Sequence, residues 1–345
     1  MAMTEKLLTW YGQNKRDLPW RQNDARRDEP NAYHTWVSEI MLQQTRVEAV
    51  KGYYARFLAA LPTVEALAEV DDDRLMKLWE GLGYYSRARN LKRAAQVIVR
   101  DYGGVIPELP EELLKLPGVG LYTAGAIASI AYGAPVPAVD GNVLRVCARL
   151  YADFSDIALE QTKKAVALRL LREIQAWIER GEATELHRRW FNQALMELGA
   201  CVCLPGTPKC GICPLRSDCL AFQQGLTGEL PVKSRAKPRR IEERRLYILR
   251  FGDTLALRRR PPKGLLAGLW ELPGAFALPP ELIASREDAG RAVHVFTHVE
   301  WHMTAERIVL NTPIEIEGLV WVTKEAIERD YALPSAFGGF REEMF

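Results

Sequence analysis

The chain has 345 residues, 48% of them apolar and 26% charged, a composition that excludes disorder and leaves room for two domains with separate cores. Forty-six Lys and Arg stand against 44 acidic residues, a net charge of +2, so overall charge marks no partner. Met1-Ala2-Met3-Thr4-Glu5-Lys6 leads into amphipathic sequence without the apolar core of a secretory signal, which suggests a cytoplasmic protein.

Residues 1–225 read as helical. Apolar positions recur at helical spacing in Val64-Leu67-Val70, Leu75-Leu78-Trp79-Leu82 and Leu168-Leu171-Ile174-Ile178. Pro62, Pro107, Pro110 and Pro117 punctuate helix starts. The longest uncharged stretch, Leu116 to Val139, is long enough for a bilayer, but its prolines and glycines leave an apolar helix of only about ten residues. It reads as a buried element, and no membrane partner is expected. From Lys233 to Arg245 seven Lys or Arg accompany two Glu. The run suits either an anionic partner or a solvated linker, and the linker, 226–243, is the preferred reading. Beyond it come short β-type runs at Leu246–Phe251, Thr254–Arg258, Val293–Leu310 and Leu319–Val322. Val299, Trp301, Met303 and Ala305 alternate with polar residues at the period of a half-buried strand. Thr323 is placed to cap a late helix. The expected fold is an all-α domain followed by a smaller α+β domain over 244–345.

Three groups of residues suggest chemistry. Cys203, Cys210, Cys213 and Cys219 are spaced C-x6-C-x2-C-x5-C, with Cys147 and Cys201 outside the pattern. Without a secretory signal such a quartet argues for metal rather than disulfides. One short pair flanked by longer gaps favours a four-iron cluster over zinc knuckles, acting as a structural clamp. Second, Gly118 and Gly120 form a tight turn before an apolar helix, leaving backbone N–H groups to meet a phosphate or letting helices pack closely. Third, Glu39 sits in the mostly apolar Trp36-Val37-Ser38-Glu39-Ile40-Met41-Leu42, where burial would raise its pKa; an exposed position beside Gln43 is the plainer alternative. Asp140 precedes Gly141-Asn142-Val143-Leu144, a helix N-cap position where the dipole favours an ionised carboxylate. A protonatable Glu and an ionised Asp are the pair that cleaves glycosidic bonds through an oxocarbenium-like state.

These features, with Leu18-Pro19-Trp20-Arg21, Trp36 to Thr45, Gly81-Leu82-Gly83-Tyr84-Tyr85-Ser86-Arg87-Ala88-Arg89-Asn90, Leu116 to Gly125 and Val139-Asp140-Gly141-Asn142, resemble the endonuclease III superfamily of helix–hairpin–helix DNA glycosylases. The likeness is to its adenine-specific branch, over nearly the whole chain. It implies a helix–hairpin–helix glycosylase domain (hairpin about 108–140), one [4Fe-4S] cluster in a loop over 203–219, and a Nudix-like domain that reads 8-oxoguanine. The implied substrate is double-stranded DNA with adenine opposite 8-oxoguanine or G, and the implied enzyme is a monomer, at the nucleoid in a bacterium. By the same resemblance Glu39 protonates the flipped adenine, Asp140 stabilises the sugar cation, and Tyr122 and Asn142 position that centre. Arg21, Leu42, Gln44, Thr45, Val47, Tyr84, Gly118 and Gly120 match DNA-contacting positions, although Tyr85 is as available as Tyr84.

Three departures sharpen the expectation. Strand-cleaving relatives carry a Lys two residues after the hairpin's second glycine, where this chain has Tyr122. A phenol forms no Schiff base, so base removal without strand cleavage is expected. The family's lesion-reading Phe-Ser-His is matched by Phe296-Thr297-His298, which keeps the hydroxyl and adds a methyl. Gly268-Leu269-Trp270-Glu271-Leu272-Pro273-Gly274 resembles the approach to a Nudix box, yet Pro280 stands where its Glu is expected, so no pyrophosphatase site assembles. The segment Gln22–Pro30, with Arg26 and Arg27, is longer than usual and is assigned no role.

Overall fold

The computed structural model describes residues 3–22, 31–234 and 238–345; Arg26, Arg27 and residues 235–237 of the Lys233–Arg245 run fall outside them. Two compact units emerge, Met1–Ala68 with Asn90–Arg235, and Glu69–Arg89 with Ala236–Phe345.

The helices, in chain order, are α1 (Met3–Asn14), α2 (Ala32–Leu42), α3 (Val47–Ala60), α4 (Val64–Glu69), α5 (Asp72–Leu78), α6 (Ser86–Tyr102), α7 (Pro110–Leu113), α8 (Leu121–Tyr132), α9 (Gly141–Leu150), α10 (Glu160–Glu179), α11 (Glu185–Cys201), α12 (Leu220–Gln223) and α13 (Lys324–Asp330). In the first unit α2 starts where the Asn31 side chain accepts from the N–H groups of Tyr33 and His34. Every residue of α8 from Thr123 to Ala131 is buried, as an apolar helix without a polar face requires. α8 ends at Gly133 with φ +70°, the left-handed C-terminal position that glycine adopts without strain. Leu7, Tyr11, Val143, Leu144, Leu170, Trp177, Phe191, Leu195 and Leu198 form a core shared by α1, α9, α10 and α11. A Cβ on Gly125 would collide with the Pro137 carbonyl oxygen. Glycine there lets the 134–139 segment lie directly on α8, and this delivers Asp140 beside the start of that helix. No described helix is long and apolar enough to cross a membrane.

The cysteine loop corrects the expectation of an iron–sulfur domain. Cys203, Cys210, Cys213 and Cys219 are all free thiols, and among the described residues no group of three or more His, Cys, Asp or Glu is arranged to hold a metal ion. The four line a cavity of about 30 Å³ with Arg149, Pro208, Arg216, Phe222 and Thr227, room for a water or two. Their polar contacts are with protein: Arg149 donates to Cys203 Sγ, and Cys219 Sγ donates to the Arg149 carbonyl, both at 3.4 Å. Burial pushes the Cys213 thiol up to about 11, so in this arrangement it is a protonated thiol. The residues in this arrangement do not fit a [4Fe-4S] cluster. Arg149, buried and bonded to the carbonyls of Leu204, Gly206 and Leu230, ties the loop together instead.

The second unit is built on a sheet of β1 (Arg240–Phe251), β2 (Thr254–Arg259), β3 (Trp270–Glu271), β4 (Ile283–Val295), β5 (Val299–Leu310) and β6 (Leu319–Thr323), in the order β3-β2-β1-β5-β4 with β6 on β2. β1 and β5 run parallel, Arg240 opposite Val299 and Arg250 opposite Val309. Val299, Trp301, Met303 and Ala305 all face the core, where Leu333, Phe337 and Phe340 cover them. Thr323 caps α13 by accepting from the Ala326 N–H. After Gly274 the chain has no regular structure until a short 3-10 turn, Pro280–Leu282. α5, distant in sequence, packs on α13.

Candidate active site

Glu39 lies in α2 and is buried at 7% exposure; its carboxylate accepts a hydrogen bond from the Tyr122 hydroxyl. Burial pushes its pKa up to about 7. The Tyr122 bond opposes that rise, Asp140 adds to it, and Arg21 draws it back. Tyr122 is the second residue of α8, so the start of that helix faces the middle of α2. The Tyr122 phenol, shielded from water and beside two carboxylates, is raised well above its ordinary range and stays protonated.

Asp140 caps α9. One oxygen accepts from the Val143 N–H and the other from the Asn142 side-chain amide, both at 2.7 Å. Burial raises its pKa, against these bonds. The site therefore places one carboxyl that holds a proton near neutral pH beside another whose two oxygens are both used as acceptors.

Several supporting residues escaped the sequence reading. Arg145 donates to the Asn142 side-chain oxygen at 2.9 Å and to the carbonyls of Gly199 and Cys203. With that oxygen engaged, the Asn142 amide turns its N–H toward Asp140. A Cβ on Gly199 would lie 2.6 Å from Asn142 Cβ and 3.1 Å from its backbone, so only glycine allows α11 this close to the start of α9. Arg21 donates to Glu197 at 2.8 Å, and Arg16 holds the same carboxylate in a fork. Burial would raise Glu197, but the two guanidinium groups outweigh it and hold the pKa at about 2. A signal for Glu197 was present: it is the lone acid in Ala194-Leu195-Met196-Glu197-Leu198-Gly199.

The remaining expected contacts in this unit lie at helix ends and in the turns before α3 and α8. Leu42 is the last residue of α2 and Val47 the first of α3. Between them Gln44 is exposed at φ +59°, a strained conformation of the sort found at functional sites. Thr45 bonds back to the Gln43 carbonyl. Gly118, at φ +77°, and Gly120 are both exposed in the turn before α8, and a Cβ on Gly118 would clash with Asn90.

In the second unit Tyr84 is 47% exposed and Tyr85 only 5%; the structure separates two tyrosines that the sequence left equivalent. Tyr84 sits at φ +47° after Gly81 and Gly83, also at positive φ. Phe296-Thr297-His298 forms the turn between β4 and β5, with the Phe296 N–H on the Val299 carbonyl. Thr297 and His298 are exposed, while Phe296 packs edge-on against Trp301. The hydroxyls of Thr297 and Tyr84 are hydrogen-bonded at 2.9 Å.

The profile of the HhH-GPD superfamily of base excision DNA repair proteins matches residues 37–173, and a NUDIX domain profile matches 245–341. The adenine DNA glycosylase of Arabidopsis thaliana is 36% identical over 365 residues, which cover 88% of this chain and 56% of that one. That of Mus musculus is 36% identical over 363 residues, covering 87% and 69%. A thermostable thymine-DNA glycosylase of known structure superposes with a TM-score of 0.54 at 28% identity, over 64% of this chain and 95% of that one. The chain spans just over half the length of the Arabidopsis thaliana relative. The chain belongs to the adenine DNA glycosylase family.

Proposed function

We propose that this chain, a DNA N-glycosylase acting on adenine mispairs in base excision repair, removes adenine paired with 8-oxoguanine or G and leaves the abasic strand uncut. The pairing of Glu39, buried and titrating near 7, with Asp140 at the head of α9 supports this reading. The adenine is flipped out of the duplex, at a cost in unstacking that side chains entering the gap offset. Glu39 passes its proton to adenine N7. The bond from N9 to the sugar then breaks, its electron pair leaving with the base. Asp140 faces the cation that forms at the sugar, where a fixed carboxylate is worth more than in water. Water adds to that carbon and returns a proton to Glu39. Tyr122 and Asn142 hold the two carboxylates in register.

Monofunctional chemistry is supported by Tyr122, which stands where strand-cleaving relatives need an amine. Leu42, Gln44, Thr45, Val47, Gly118 and Gly120 hold the strand, Arg21 being committed to Glu197, while Tyr84, Phe296, Thr297 and His298 address the base opposite adenine. The test is a duplex carrying A opposite 8-oxoguanine, incubated with enzyme and analysed with and without alkali. Breaks only after alkali are expected. Breaks without alkali, or release confined to a G·T duplex, would overturn the proposal.

A further inference from the structure

Residues 69–89 lie within the stretch that the glycosylase profile matches, yet they fold with 236–345. Two side chains fasten them there. Lys77 Nζ donates to the α13 carbonyls of Ile327 at 2.9 Å and, just past its end, Tyr331 at 3.3 Å, and lies 2.6 Å from Glu80 Oε2. That uses all three ammonium donors and puts a cation at the negative end of a helix. The other Glu80 oxygen accepts from the Leu333 N–H at 3.0 Å. Leu333 is buried, so this donor would otherwise be an orphan. Both latch side chains are only 19% exposed.

The latch leads to the lesion-reading turn by two routes. Directly, the chain runs from Glu80 through Gly81 and Gly83 to Tyr84, whose hydroxyl meets Thr297. Trp79 and Arg87 both donate to the Gly83 carbonyl and keep this turn in shape. Through the core, Leu333 packs in the cluster that holds Phe337 and Trp301, and Trp301 carries Phe296 at a ring separation of 4.9 Å. An exposed tyrosine in a strained conformation is thus held against a turn more than two hundred residues away by contacts at both ends.

We propose that Lys77 and Glu80 are positioning residues for specificity. They hold Tyr84 in register with Thr297, so that the two address the base opposite adenine as one preformed reader. The inference rests on the assignment of Tyr84 and Thr297 to that base. Loosening the latch leaves the Glu39–Asp140 chemistry intact but lets Tyr84 drift, and recognition of 8-oxoguanine over G declines.

The experiment compares single-turnover adenine release from A·8-oxoguanine and A·G duplexes in full-length Lys77→Met, Glu80→Gln, Lys77→Arg and Thr297→Val. In Lys77→Met and Glu80→Gln the ratio of the two rates should fall roughly tenfold, the size of one lost charged hydrogen bond, with the A·G rate retained. Lys77→Arg, which can still donate to carbonyls and Glu80, should recover most of it. An unchanged ratio in both latch variants, beside a lowered ratio in Thr297→Val, would overturn the latch alone. An unchanged ratio in Thr297→Val would instead remove the assignment on which it rests. Equal loss on both duplexes, or Lys77→Arg as poor as Lys77→Met, would mean a general loss of fold and would also overturn it.

Discussion

The Tyr122 hydroxyl donates to the carboxylate of Glu39, and it is the main interaction opposing the burial that lifts this group to about 7. A donor to the charged form lowers a pKa, so Tyr122→Phe should raise that of Glu39 further. With Glu39 as acid, wild-type single-turnover release falls about tenfold per pH unit above roughly 7. In Tyr122→Phe the falling limb should move to higher pH, even if the maximum rate is lower. A limb that stays in place or moves to lower pH would show that another group supplies the proton.

Gly199 sets how closely α11 approaches the residues around Asp140. Its missing Cβ would sit 2.6 Å from that of Asn142, and the backbone atoms behind cannot yield as a flexible side chain could. Gly199→Ala should displace Asn142 and with it the donor to Asp140. Stability should drop by about 1–3 kcal/mol, and adenine release by roughly tenfold or more. Urea unfolding and single-turnover rates check both; full activity would mean that the head of α9 can shift without cost.

Glu197 links the loop carrying Arg21 to α11. Its folded pKa of about 2 lies below the ordinary value of about 4.3. Its stabilisation is therefore complete above roughly pH 4.3 and is lost as pH falls toward 2. Glu197→Gln leaves two guanidinium groups without their acceptor and should cost about 3 kcal/mol at pH 7. The deficit should shrink on acidification, as the wild type gives up the same interaction. A deficit that is equal at pH 7 and pH 3 would rule out the ion pair as its source.

Local pattern made some of this legible and long-range pairing hid the rest. The helices of the first unit, the alternating strand from Val299 and the cap at Thr323 are written in period and end signals. The first half of β1 is not. Arg240 to Arg245 is charged at every position but Ile241 and buried at none, and only parallel pairing with β5 makes it a strand. β4 starts at Ile283, ten residues before its first recognisable apolar alternation, because Ser285-Arg286-Glu287-Asp288 lies exposed on an edge strand. The cysteine spacing suggested a cluster, but spacing does not fix where sulfurs point, and here those of Cys203 and Cys219 meet Arg149. Glu39 stood out because it breaks a local rule, an acid in an apolar helix, and Asp140 because it follows one, an acid at a helix N-cap. Arg145 and Gly199 act across elements, which no local window displays.

His298 is exposed in the β4–β5 turn, and its backbone carbonyl accepts from the Arg240 N–H. The side chain can therefore be removed without disturbing the turn. His298→Ala should melt within a degree or two of wild type and show a lower preference for 8-oxoguanine over G. An unchanged preference in a competition between the two duplexes would place the reading of the lesion elsewhere.

Glu39 as proton donor is tested most directly by Glu39→Gln, which keeps the shape of the side chain and removes the proton it can give. Single-turnover adenine release from A·8-oxoguanine DNA should fall by at least about a hundredfold, while duplex affinity, measured in parallel, stays within a few-fold of wild type. Release that survives the substitution at a comparable rate, with binding intact, would contradict the assignment of Glu39 as the acid.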